Sequence, residues 1–154
     1  MPTVTVSEVV NAPPTATFAA FSDLPNADKM IEAIRKLEIL TEGPVGKGTR
    51  FRETRTMFGR DATEIMEITA WNPQGSPPSY TVHGESCGTT FDTTFYFHSE
   101  NGGRSTRVEF KMVTRPVTLF AKVMSPMAFL MSGMMKKCFL AELGDMKRHI
   151  EKTS

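Results

Sequence analysis

Val117–Lys152 reads VTLFAKVMSPMAFLMSGMMKKCFLAELGDMKRHIEK, and it holds six of the chain's eleven methionines. Leu119, Val123, Met127, Leu130, Met131 and Met134 recur at three- and four-residue spacing, the signature of one helical face. After Lys136 the pattern turns amphipathic. Phe139, Leu140, Leu143, Met146 and Ile150 stand against Lys137, Glu142, Lys147 and Arg148. At 1.5 Å per residue a helix over this stretch would run roughly 50 Å, longer than a compact domain of this size is wide. Such a helix needs a partner of its own scale, and the sequence before it reads as a sheet.

Methionine is unbranched and polarizable and adapts to irregular apolar surfaces. The run therefore fits core packing, and it also fits the wall of an adaptable apolar pocket. A transmembrane span is not expected: the uncharged run from Val123 to Met135 is short, holds Ser125, Pro126 and Ser132, and is bounded by Lys122 and Lys136, whereas a span needs about twenty apolar residues.

At 154 residues the chain is expected to form one domain over 1–154, large enough to bury a core. A net charge of +1 and the absence of a charge run offer no field for nucleic acid. Cys87 and Cys138 form no CxxC pair. That usage, and a start without a basic segment followed by an apolar block, point to a reducing, cytoplasmic location.

Thr3 to Asn11 is threonine- and valine-rich and predicts a strand. Pro14 suits the first turn of a helix over Thr15–Ser22, and Asn26 is placed to cap a second from Ala27 to about Ile34. Strands are predicted over Leu37–Thr41, Thr49–Met57, Ala62–Trp71, Ser79–Glu85, Thr89–His98 and Arg104–Thr114. Breaker-rich segments separate them, with Asn101-Gly102-Gly103 the strongest hairpin signal. Phe91, Phe95 and Phe97 share one strand face with Thr93. Val108, Phe110 and Met112 alternate with Arg107, Glu109 and Lys111, and Tyr80 and Val82 with Thr81 and His83. One apolar and one solvated face describe an antiparallel sheet covered on one side. In Ala62–Trp71, Met66, Ile68 and Ala70 compete with Ile65 and Trp71 for the inner face. The elements together make an α+β domain.

This order resembles the helix-grip fold of the SRPBCC (START) superfamily, in its polyketide cyclase/dehydrase-like branch. Four stretches carry the likeness: VTVSEVVNAPPTATFAAFSDLPNADKM (4–30), EGPVGKGTRFRETR (42–55), EITAWNP (67–73) and GGRSTRVEF (102–110). The resemblance implies a curved antiparallel sheet of about seven strands wrapped around a long C-terminal helix, with two short helices after the first strand. It also implies a cavity between sheet and helix, and no shared catalytic motif. The chain departs from the family pattern after Asp23-Leu24. A tryptophan is common there, but Ala27-Asp28-Lys29-Met30 stands in its place and the single tryptophan is Trp71.

The inward faces name the expected ligand-binding lining. The strands supply Phe51, Tyr80, Val82, Phe95, Phe97, Phe110 and Met112, and the helix Met127, Met131, Met134 and Met135. The same residues would equally fill a solid core. If Phe51 points inward, so do Glu53 and Arg55. There they would pair with each other, bind a polar ligand group, or form a water-reached ion pair at the sheet rim. Glu53, Arg55 and Tyr80 are thus the weak catalytic candidates. His83, Glu85 and Cys87 share a strand face, but it is the outer one, and no metal site or cofactor is expected. GPVGKGTR (43–50) lacks the Gly-Lys-Ser/Thr ending of a phosphate loop and precedes a strand.

Three functions follow: binding of a hydrophobic small molecule (a lipid, isoprenoid or aromatic polyketide), a cyclase/dehydratase-like enzyme using acid/base groups in the same cavity, or a protein-interaction module with a filled core.

Overall fold

A computed structural model of the chain describes residues 3–57, 59–86, 88–119, 122–123 and 132–153, without the side chains of Met57 and Ser132. Strand β1 (Thr3–Val10) leads into helix α1 (Pro14–Phe21), a single 3-10 turn (Leu24–Asn26) and helix α2 (Ala27–Met30). Strands β2 (Ile34–Ile39), β3 (Arg50–Met57), β4 (Arg60–Asn72), β5 (Ser79–Ser86), β6 (Thr89–Glu100) and β7 (Ser105–Pro116) follow, and helix α3 (Ser132–Thr153) ends the chain. The seven strands form one sheet in the order β1-β7-β6-β5-β4-β3-β2, every pair antiparallel. This is the α+β helix-grip arrangement. Among the described residues no helix is long and apolar enough to cross a membrane.

Local chemistry explains the boundaries. Pro14 occupies the first turn of α1, where its missing N–H costs nothing. Asn101, Gly102 and Gly103 all take positive φ and turn β6 into β7. The second helix is shorter than the sequence suggests. It stops at Met30, and β2 has begun by Ile34. Nor does Asn26 cap it; its Nδ2 donates to Asp23 Oδ2 at 2.9 Å instead.

The register of β4 resolves into two halves. Met66 and Ile68 are buried and Ile65 is exposed. The pairing with β5 then shifts between Ile68 and Ala70, so that Trp71, rather than Ala70, packs against the core opposite Tyr80. A bulge that adds one residue to a strand reverses the inward phase beyond it.

Helix α3 lays Phe139, Leu143, Met146 and Ile150 on the sheet, all nearly inaccessible. Lys147 Nζ donates to the Val9 carbonyl, the Asn11 N–H to Glu151, and the Glu32 N–H to Asp145. These bonds tie the helix to the end of β1 and to the link before β2. The predicted apolar face upstream is corrected where it is described. Leu119 is 80% exposed, Val123 68% and Met134 52%, so they do not point into the molecule. Leu140 also faces out. Met127, Leu130 and Met131 lie outside the described residues.

The interior has two ends. At one, Phe18, Phe21, Trp71, Tyr80, Phe95 and Phe97 form a solid aromatic cluster, with Phe18 edge-on to Trp71, Tyr80 and Phe97 at 5.1, 5.6 and 5.2 Å between centroids. At the other the packing opens.

Candidate functional site: a cavity with a charged wall

The open end encloses about 570 Å³ between the sheet, the α1–α2 segment and α3. Ligand cavities of roughly 300–1,000 Å³ are typical, and most are apolar with a few placed polar groups. Phe51, Tyr80, Val82, Phe95, Phe110 and Met112 line it from the strands, and Met135 and Phe139 from the helix. Phe110 and Phe139 meet across the interface with centroids 4.3 Å apart. Exposed Thr3, Ala62 and Lys136 mark where the lining reaches the surface.

Two of the expected lining residues are elsewhere. Phe97 is fully buried in the aromatic cluster, beyond the cavity, because β6 carries it past Phe95 toward the α1 end. Met134 faces solvent, since it lies 100° around the helix from Met135. Met127 and Met131 lie outside the described residues. The sequence reading also missed contributors. Phe21, Leu24 and Ile31 come from the segment around α2. Their burial depends on how that segment folds over the sheet edge, which strand alternation does not encode.

Strand alternation does carry Glu53 and Arg55 inward behind Phe51. They are not a solvated pair at the rim. Arg55 Nε donates to Glu53 Oε1 at 2.7 Å, and the guanidinium fork donates to Glu142 on α3 at 3.1 and 3.4 Å. Only 17%, 11% and 12% of the three side chains remain exposed. Glu142 had looked like part of the polar helix face. It stands three residues after Phe139, four before Met146 and seven after Met135, which puts it at the edge of the buried stripe. That spacing was the available signal.

The electrostatics follow from this burial. Desolvation pushes the Glu53 carboxyl above its usual range, against the lowering effect of Arg55, and the Glu142 and Glu64 charges add to the rise. Burial alone would lower the Arg55 pKa, but the charges and hydrogen bonds of Glu142 and Glu53 outweigh it and hold the guanidinium firmly protonated. Burial, then the charges of Glu142 and Glu53, raise the Tyr80 phenol. Its O–H is committed to the Phe21 carbonyl at 3.1 Å, and its ring stacks on Phe95 with centroids 4.9 Å apart. Tyr80 therefore fastens α1 to the sheet and has no proton to spare for a ligand. Among the described residues no side-chain nitrogen or oxygen that is wholly shut off from solvent lacks a partner.

His83 lies on the outer face, bonded through Nδ1 to Asp92 at 2.8 Å. Glu85 shares that face, and Cys87 lies outside the described residues. No group of three potential metal ligands forms among the described residues.

A family model described as polyketide cyclase/dehydrase and lipid transport matches residues 1–151. No curated protein sequence matches the chain. Several solved structures share its fold. A protein from Thermus thermophilus is 17% identical, with a TM-score of 0.78 and 99% of each chain covered. The Zhui aromatase/cyclase from a Streptomyces species is 15% identical, with a TM-score of 0.78 over 98% of this chain and 94% of that one. A START superfamily protein from Mycobacterium smegmatis is 15% identical, with a TM-score of 0.74 and 99% of each chain covered. At these identities the likeness is one of fold.

Proposed function

The chain belongs to the polyketide cyclase/dehydrase and lipid transport family, and on that premise we propose that it binds a hydrophobic small molecule, such as a lipid, isoprenoid or aromatic polyketide, between the sheet and α3. The cavity itself carries this reading. About 570 Å³ walled mainly by Phe, Met, Leu, Ile and Val side chains is space that a close-packed core would have filled. An apolar void of this kind gains from an apolar occupant, because water finds few partners there. The void also counts against a filled-core interaction module.

The test is titration with the uncharged fluorophore N-phenylnaphthylamine. Saturable binding to one site is expected, with loss in Val82→Trp, which fills the cavity from β5. Equal binding by that variant, with its fold intact by circular dichroism, would place the fluorophore on the surface and defeat the reading.

One observation favours a second, enzymatic reading. Glu53 is a carboxyl on the cavity wall whose pKa is raised by burial, as in a general acid. Its Oε1 is held by Arg55, and its Oε2 takes no hydrogen bond among the described residues. On this reading Glu53→Gln loses turnover of a polyketide-like substrate and keeps binding. Loss of both together would mark Glu53 as structural.

A further inference from the structure

Resting on the reading that this cavity takes a hydrophobic ligand, we propose that it selects one with an uncharged hydroxyl or carbonyl head and rejects carboxylates and phosphates, because Arg55 is already balanced by Glu53 and Glu142. A buried arginine facing an apolar cavity ordinarily suggests an anion site, since its planar fork matches carboxylate and phosphate. Here three of its five N–H donors are already taken from within. Nε is held by Glu53, and Nη1 and Nη2 by the two oxygens of Glu142. Two carboxylates face one guanidinium, and Glu64, which pairs with Glu53 across β3 and β4, adds a third acid to the lining. Lys136 is the other cation of the described lining, and it is exposed. An anionic head brought to this wall would compete with carboxylates already in place and meet their repulsion in a poorly solvated space.

An uncharged head meets neither obstacle. Glu53 Oε2 accepts from a hydroxyl when the carboxyl is ionised and donates to a carbonyl when it is protonated. The rise in its pKa makes the protonated form accessible. The arrangement works by penalising the wrong head group as well as by binding the right one.

The test uses probes with one twelve-carbon chain and different heads: dodecanol, dodecanoate and dodecyl phosphate, each displacing N-phenylnaphthylamine at neutral pH. Dodecanol is expected to displace it, and the two anions at least about tenfold less well. Glu142→Gln removes one carboxylate from Arg55 and is expected to recover most of that loss for dodecanoate relative to dodecanol. Dodecanoate binding as tightly as dodecanol to the unmodified protein would overturn the head-group rule, whatever the variant does. If Lys136→Gln then abolished dodecanoate binding, the carboxylate would be assigned to the cavity mouth. Failure of every probe, the fluorophore included, would defeat the hydrophobic-ligand reading itself, and the head-group rule with it.

Discussion

Arg55 on β3 and Glu142 on α3 stand 87 residues apart in the chain and form a two-pronged ion pair, at 3.1 and 3.4 Å, on the wall of the cavity. Together with Glu53 the pair couples the sheet to the helix through charge in a place where the rest of the contact is apolar. Burying such a group costs desolvation, so the balance among its members matters more than the number of bonds.

The members should therefore not be equivalent. Removing the cation in Arg55→Met leaves Glu53 and Glu142 buried without compensation and is expected to cost about 3–5 kcal/mol. Glu142→Gln leaves Arg55 paired with Glu53 and should cost only about 1–2 kcal/mol. Urea denaturation of both variants measures the difference. Equal losses would mean that the three side chains are solvated well enough to act independently.

Glu53 should give the protein a measurable pH response. Its carboxyl is raised in the folded state by burial, with Arg55, Glu142 and Glu64 the charged groups that face it. The folded chain holds that proton more tightly than the unfolded one, so this group's contribution to stability falls as pH rises from the ordinary carboxylate value through the raised one. Glu53→Gln keeps the neutral shape and removes the titration. The variant is expected to gain on the unmodified protein between about pH 4 and the raised value, and to hold that advantage above it. Denaturation at several pH values checks this; a constant difference would show that Glu53 titrates normally.

Tyr80→Phe keeps the ring that stacks on Phe95 and removes only the bond to the Phe21 carbonyl. A loss of about 1–2 kcal/mol in stability with cavity binding unchanged is the expected result. A loss of binding with stability unchanged would give the phenol a role toward the ligand.

Gly84 pairs with Phe91 across β5 and β6, and a Cβ built on it would lie 2.7 Å from Phe91 Cε2. Both strands face the cavity there, with Phe91 in its lining. Gly84→Ala must push that ring into the space. Overpacking of this kind costs about 1–3 kcal/mol, and fluorophore affinity should fall with it. Unchanged affinity would mean that the bound molecule does not reach the Phe91 end.

Much of this could be read from the chain itself. Alternation in β5, β6 and β7 placed Tyr80, Val82, Phe95, Phe110 and Met112 inward, and the same rule carried Glu53 and Arg55 in behind Phe51. What was missed has specific causes. The bulge after Ile68 reverses the phase of β4 and brings Trp71 in, and local sequence does not announce it. Phe97 obeys the alternation, yet it lies past the end of the cavity, because alternation fixes the face and says nothing of position along it. Leu119, Val123 and Met134 show that helical spacing predicts a stripe without saying what covers it. Glu142 was hidden by its charge, although its spacing from Phe139 and Met146 puts it at the edge of the buried face.

The central claim is that the cavity holds a hydrophobic small molecule. The most direct measurement is native mass spectrometry of the protein purified from its own host, followed by denaturing extraction of whatever travels with it. The account predicts a stoichiometric apolar adduct, uncharged at its polar end, that is lost in Val82→Trp. A clean unliganded mass under gentle conditions, from protein that also fails to bind N-phenylnaphthylamine, would contradict it.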